Sequence, residues 1–448
     1  MLGKKAVIVL VIAMLIFSIP VFPVTADSNP RIRIEGELKH FQPGALLIGG
    51  RTMVPVRFVV EDSALRGAVY WDGALQKVAL DCKGKYIEFI IGSQEAKVDG
   101  VTKRFDTAPL IHQDRTYIPL RFLAETLGAT VSWDSDRREV NISFSYRPEV
   151  FAYYYYTPWD EFTENADLFT DVALRWFESN SRGELSYEYQ DQYQKVLQYA
   201  RQKGIRTHLG VALMDKDALH ILLRNYSYRQ HLIQQLNQQA RADKYDGVNI
   251  DFEFIPPADA PYFTQFLREL KAALGQDKTL SVAVFARTGE ENWPVAYQYK
   301  EIGKIVDRVV VMAYDYSYAD SAPGPVAPLW WVKDVKDYMM ANIPREKILL
   351  GLPTYGYNWT AGGKAVTVTA PKLAAIQSKY QVKGGFDAAS MSPYYNYTDE
   401  NGRQHTIWLE NQASLNEKFN VATADRLGGI AFWRIGNGFD DLYQVLRQ

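Results

Sequence analysis

The chain has 448 residues, long enough for two domains, and its 47% hydrophobic share excludes a mostly disordered protein. A formal net charge of -2 argues against a nucleic-acid partner, which calls for a basic surface. The single cysteine, Cys82, rules out an intrachain disulfide and reads as a small buried hydrophobe, while the scattered histidines show no ligand spacing, so no metal and no cofactor is expected.

The N-terminus has the layout of an export signal over residues 1–26. Lys4 and Lys5 form the charged start, Ala6 to Phe22 the apolar run, and Val24-Thr25-Ala26 the small-residue cleavage site. An uncleaved membrane anchor is the alternative, because the run is nearly long enough to span. Export without disulfides suits a bacterial surface, so a secreted or cell-wall-associated protein is expected.

Residues 32–146 contain an internal repeat. Arg51-Thr52-Met53-Val54-Pro55-Val56-Arg57-Phe58 is matched by Arg115-Thr116-Tyr117-Ile118-Pro119-Leu120-Arg121-Phe122. Each copy continues into a short helical pattern, with Gly128 placed as a helix stop in the second, and then into a strand ending Tyr70-Trp71-Asp72 or Ser132-Trp133-Asp134. A small α+β domain built from two repeats is expected. The doubled pattern resembles the stalk-like domain that shares its name with the N-terminal domain of copper amine oxidases. With no histidine cluster, copper does not follow from that name. The repeated arginines read as structural ion-pair formers, and the domain as a spacer or wall-associating module.

Arg147-Pro148 reads as a linker, and from 150 to 448 apolar β-like runs alternate with helical stretches. The candidate strands are Val150–Tyr156, Asp171–Phe177, Thr207–Leu213, Gly247–Phe254, Leu280–Ala286, Val306–Tyr314, Ile348–Tyr355 and Gly429–Trp433. Tyr226–Ala242, Tyr262–Leu274 and Val332–Asn342 are among the intervening helices. Such alternation predicts a parallel (β/α)₈ barrel of the TIM type, in the α/β class. An insertion at about 360–426, after the seventh strand, should rise over the C-terminal mouth as a small α+β lid.

The most informative stretch is Asp246-Gly247-Val248-Asn249-Ile250-Asp251-Phe252-Glu253. On a strand, Asn249, Asp251 and Glu253 share one face and Val248, Ile250 and Phe252 the other. Two carboxyl groups close together in a confined space raise each other's pKa, which suits one of them to give a proton at neutral pH. By the same parity Met312 and Tyr314 enter from the sixth strand, Tyr355 from the seventh and Trp433 from the eighth. An acid pair, two phenols and an indole should therefore converge on one pocket. Tyr153 to Tyr156 are four tyrosines in a row, and parity alone does not say which reach it.

With Asp246, Asn249, Asp251 and Glu253 standing for Asp-x-x-Asp-x-Asp-x-Glu, Met312-Ala313-Tyr314-Asp315 for Met-x-Tyr-Asp, and Trp433 for a terminal tryptophan, the region resembles glycoside hydrolase family 18. The form Gly-Val-Asn-Ile-Asp-Phe-Glu, with Ser392-Pro393-Tyr394-Tyr395 and Trp408-Leu409-Glu410, resembles the branch of spore-cortex-lytic N-acetylglucosaminidases. Asn249 departs from the usual Asp; it holds no charge but can still hydrogen-bond Asp251. The resemblance implies substrate-assisted retaining cleavage of β-1,4-linked N-acetylglucosamine in peptidoglycan or chitin. It makes Glu253 the general acid, Asp251 the orienting carboxylate and Tyr314 the holder of the acetamide, so these three are the catalytic residues. Asn249, Asp315, Tyr355 and Trp433 are then substrate-binding residues, a polysaccharide is the partner, and a monomer is the expected state. The alternative is a non-catalytic glycan-binding wall protein on the same barrel; such relatives usually lack the last Glu of the motif, which this chain keeps.

Overall fold

Runs such as Val309-Val310-Val311 are apolar on both faces, so they are stable only in a sheet covered on both sides. The computed structural model describes residues 29–448 apart from 63, 64, 66, 83, 84, 145, 157, 188–192, 295 and 362, so the expected export signal lies outside the described residues. Contacts divide the chain into two units, Met1–Tyr146 and Arg147–Gln448.

In the second unit the eight strands are Glu149–Tyr154, Asp171–Ser179, Arg206–Leu213, Gly247–Phe252, Thr279–Phe285, Arg308–Met312, Ile348–Pro353 and Gly429–Ile435. Each pairs in parallel with the next, and the first also pairs with the eighth, which closes the expected barrel. Side-chain alternation sorts the strands into two cores. Val248, Ile250, Phe252, Val309 and Val311 face outward into the layer shared with the helices. Phe151, Tyr153, Ala173, Val310, Met312, Leu349 and Ala431 fill the interior, with Tyr314 and Trp433 packed against them. The helices carry their own start signals: Asp215 caps one, and Asn225 caps Tyr226–Ala242.

Five strands stop earlier than their apolar patterns suggested: the first at Tyr154, the fifth at Phe285 and the seventh at Pro353, besides the fourth and sixth. The fourth ends at Phe252 and the sixth at Met312. Just beyond, Phe254 and Asp315 take φ of 59° and 60°, a left-handed backbone that turns the chain out of the sheet. Glu253 and Tyr314 thus sit on the barrel's rim.

After the seventh strand the chain forms a five-stranded antiparallel sheet, with Gly356–Thr360, Val366–Val368, Lys383–Asp387, Ser392–Thr398 and Gln404–Trp408, plus the helix Ala370–Lys379. This sheet begins before 360. The helix Gln412–Ala424, expected within the insertion, instead packs beside Leu329–Asn342 and Asp440–Leu446 as a helix of the barrel's outer ring. Asn411 and Ser414 give it a reciprocal cap, which is why a new helix starts there.

In the first unit, short helices at Val56–Val60 and Leu120–Thr126 follow the two copies of the repeated strand, Arg51–Pro55 and Arg115–Pro119. Gly128 takes φ of 84° just after the second helix, the left-handed stop that a side chain would oppose. Cys82 is buried. Among the described residues no helix is long and apolar enough to cross a membrane.

Candidate active site

The floor of the barrel is an ion-pair layer at the N-terminal strand ends. Asp171 accepts from Arg206 at 2.7 Å and lies 2.8 Å from His208 Nε2, while Arg308 pairs with Glu149. Burial works against the Asp171 charge, but His208 and Arg206 hold its carboxyl well below the usual range. Asp246 belongs to this end too. Its carboxylate accepts from the Thr207 N–H at 2.7 Å, so it joins neighbouring strands and stands away from the mouth.

Above this layer come the side chains of the fourth strand. Asn249 is fully buried and donates from Nδ2 to Ser281 Oγ at 2.9 Å. The expected hydrogen bond from Asn249 to Asp251 is not made; Ser281, on the adjoining fifth strand, takes that donor. Asn249 Oδ1, on the side of the Tyr153 phenol, is buried without a hydrogen-bond partner among the described residues. Asp251 is buried, and burial raises its carboxyl pKa while Arg175 opposes the rise. Glu253 stands next on the same face, half-buried. Burial first, then the charges of Asp251 and Asp315, push its carboxyl up to about 8. At neutral pH this group holds its proton beside the more deeply buried Asp251.

Burial first, and then the Tyr153 phenol and the charges of Asp251, Glu253 and Asp315, raise the pKa of Tyr314, the phenol at the sixth-strand end, well above its usual value. Asp315 accepts hydrogen bonds from Tyr355 at 2.7 Å and Tyr357 at 3.1 Å. Tyr355 lies 6.3 Å from Tyr314, ring to ring. The Trp433 indole packs edge-on to Tyr153 at 5.4 Å and tilted against Tyr155 at 5.6 Å. Thr354 brackets the next backbone unit, accepting from the Arg434 N–H at 2.8 Å and donating to the Arg434 carbonyl at 2.7 Å. Asp251, Glu253, Tyr314, Asp315, Tyr355 and Trp433 stand at or just beyond the C-terminal ends of their strands, with Asn249 deeper on the same face of the fourth.

Several members were not foreseen. Arg175, from the second strand, is buried inside the barrel with Nε 3.6 Å from Asp251 Oδ2. Parity carried a signal for it, since Asp171, Ala173 and Arg175 share a face. Of the four tyrosines, Tyr153 and Tyr155 reach the site, Tyr154 turns outward against Trp176, and Tyr156 is exposed with φ of 61°. Tyr297 donates to the Phe252 carbonyl at 2.9 Å and so braces the strand end that carries Glu253. Trp359 is buried and donates to the Ser321 carbonyl at 3.0 Å, whereas Trp330 is exposed beside Tyr316. Among the described residues no cluster could hold a metal ion.

The chain is similar to known proteins in sequence and fold. The chain is 31% identical over 238 residues to the "Cortical fragment-lytic enzyme" of Bacillus anthracis, covering 51% of this chain and 55% of that relative. It therefore spans little more than half of that protein's length. The solved spore cortex-lytic enzyme SleL of Bacillus cereus superposes with a TM-score of 0.62 at 28% identity, over 68% of this chain and 75% of that one. A chitinase from Chromobacterium violaceum superposes at 0.64 with 27% identity, over 67% of this chain and 98% of that one. The model of the copper amine oxidase N-terminal domain matches residues 33–142. That of glycosyl hydrolases family 18 matches residues 151–438, well over half of the chain, so the chain belongs to glycosyl hydrolases family 18.

Proposed function

We propose that the barrel hydrolyses β-1,4-linked N-acetylglucosamine in peptidoglycan, with chitin as the second polymer, by substrate-assisted retaining catalysis. One observation carries this reading. A carboxyl group raised to about 8 stands beside a buried carboxylate, ringed by Tyr314, Tyr153 and, behind them, Trp433. Glu253 gives its proton to the leaving glycosidic oxygen as the bond to the anomeric carbon breaks. The substrate's own acetamido oxygen closes on that carbon from the other side. Asp251 orients the acetamido N–H and stabilises the positive ring that results. Tyr314 holds the acetamide oxygen in line, and Trp433 floors the sugar. Water then attacks the anomeric carbon and returns its proton to Glu253, so the configuration is retained.

The likeness to enzymes named for cortical fragments favours peptidoglycan. Tyr156, Phe254, Trp293, Tyr316 and Tyr318 are exposed on loops that follow barrel strands, which suits a polymer lying across the mouth. Export, and wall association through the N-terminal unit, complete the proposal. Purified peptidoglycan and chitin oligomers should release new reducing ends with the parent protein, and Glu253→Gln should release them about 10²–10⁴-fold more slowly. Equal release by both proteins ends the catalytic assignment.

A further inference from the structure

The N-terminal unit carries a groove beside its internal repeat. Arg51–Pro55 and Arg115–Pro119 pair antiparallel with Pro55 opposite Tyr117 and Pro119 opposite Met53, around the pair Val54 and Ile118. Exchanging the two copies maps this pairing onto itself. The strands Leu46–Ile48 and Leu110–His112 exchange as well, and so do Phe58 with Phe122, Phe41 with Phe105, and Gln42 with Asp106.

The two halves are finished differently. In one, Phe105 packs on Phe122 at 4.5 Å, and its neighbour Asp106 pairs with Arg51. In the other, Phe41 stands 6.1 Å from Phe58, and Gln42 occupies the place of the acid. Arg115, the counterpart of Arg51, consequently has no carboxylate partner among the described residues; its guanidinium lies 5.8 Å over the Phe58 ring. What remains is a groove of about 360 Å³ lined by Phe58, Trp71, Ile111, Arg57, Arg115 and Asp114, among others. Phe58 is 37% exposed here whereas its twin Phe122 packs against the core; Trp71 and Ile111, 43% and 46% exposed, line the same groove and are about as exposed as their counterparts Trp133 and Leu47.

We propose that this groove binds a carboxylate-bearing saccharide, the chemistry of a peptidoglycan strand. The proposal rests on peptidoglycan being the barrel's substrate. A carboxylate supplies the charge that Asp106 supplies in the twin site, and Arg115 offers it a planar fork of donors. The pyranose C–H face lies on Trp71 and Phe58, and Asp114 and Thr116 accept from its hydroxyl or amide hydrogens.

Co-sedimentation with purified peptidoglycan sacculi tests it, using the full chain carrying Glu253→Gln so that nothing is cut. An excess of soluble N-acetylglucosamine oligomer occupies the barrel. The parent should still be retained on sacculi but not on chitin particles, which lack carboxylates. Arg115→Gln and Trp71→Ala should each weaken retention about tenfold, the size of one lost charge-assisted contact. Gln42→Glu, which restores the internal acid, should weaken it equally while leaving the melting temperature unchanged or raised; this variant serves where Arg115→Gln does not fold. Parent-like retention of Trp71→Ala and Gln42→Glu, or equal retention on chitin, overturns the proposal. A parent chain that binds sacculi through Arg115 yet, with Glu253 restored, cuts nothing would overturn the barrel reading alone.

Discussion

Arg175 reaches from the second barrel strand to within 3.6 Å of Asp251 on the fourth. The third strand lies between them, and its inward residues are Gly210 and Ala212, opposite Asn249 and Asp251. A Cβ on Gly210 would come within 2.9 Å of the Arg175 backbone, so glycine is what lets the strands approach here. Small residues on the intervening strand clear the path for one long side chain. The result is a cation that opposes the upward push of burial on the Asp251 carboxyl, in a site where Asn249 is uncharged.

Removing that cation should shift the pH profile upward. In Arg175→Met both carboxyl groups lose a favourable charge, so both hold protons more tightly. The acid limb of kcat/KM, set by ionisation of Asp251, and the alkaline limb, set by loss of the Glu253 proton, should each move to higher pH. On the acid side of the optimum the rate should fall as Asp251 holds its proton more tightly, while at the optimum it should change less. Arg175→Lys should recover part of the shift. A merely structural arginine would lower the rate without moving either limb.

The wild-type alkaline limb should lie near the Glu253 value of about 8. A plot of kcat/KM on a soluble N-acetylglucosamine oligomer that stays flat to pH 10 would contradict the assignment of Glu253 as the acid. In Glu253→Gln the residual activity should lose this limb altogether, since the amide cannot titrate.

Stability should carry the same signature with a definite sign. The folded-state pKa of Glu253 is raised above its unfolded value of 4.5, so the native state holds the extra proton between that value and about 8. Its contribution to stability is complete below pH 4.5 and is lost as pH rises through the folded value. Relative to wild type, Glu253→Gln should gain melting temperature steadily over that window and then level off. Thermal melts of both proteins from pH 5 to pH 9 check this, and a difference that stays constant with pH would refute it.

Much of this site could be read from the chain because strand alternation is a local rule. Val248, Ile250 and Phe252 demanded an apolar layer, and that alone sent Asn249, Asp251 and Glu253 the other way. What stayed hidden depends on neighbours distant in sequence. Asn249 chose Ser281 over Asp251 because the fifth strand places a hydroxyl 2.9 Å away. The polar face of Asp171, Ala173 and Arg175 was visible, but the empty path across Gly210 and Ala212 existed only once the third strand was in register. Tyr153 and Tyr155 could not be separated from Tyr154 and Tyr156 within an unbroken run of one residue type. The early ends of the fourth and sixth strands leave no mark in the sequence, because Phe254 and Asp315 adopt left-handed backbone without the glycine that usually announces it.

The insertion is tied to the barrel by a buried ion pair, and breaking it should be costly. Lys418, fully buried on the helix Gln412–Ala424, lies 2.5 Å from Glu410, which is also buried at the end of the inserted sheet. Lys418 Nζ also donates to the Met391 carbonyl at 3.3 Å and to Ser392 Oγ at 3.4 Å, so one ammonium gathers three points of the insertion. This gives a physical reason for Ser392 and Trp408-Leu409-Glu410 to occur together. Lys418→Met strands a buried carboxylate and should cost about 3–5 kcal/mol, the usual loss when one partner of such a pair is removed. Lys418→Met with Glu410→Leu removes both charges and should regain most of that stability. Activity should separate the two roles of the pair. The inserted sheet begins at Gly356, one residue past Tyr355, and the next strand residue Tyr357 donates to Asp315. A loosened sheet should therefore raise KM more than it lowers kcat in the single variant. Chemical denaturation of the three proteins, with KM and kcat on a soluble oligomer, tests this; a double variant as unstable as the single one would mean that the fold depends on the lysine itself and not on charge balance.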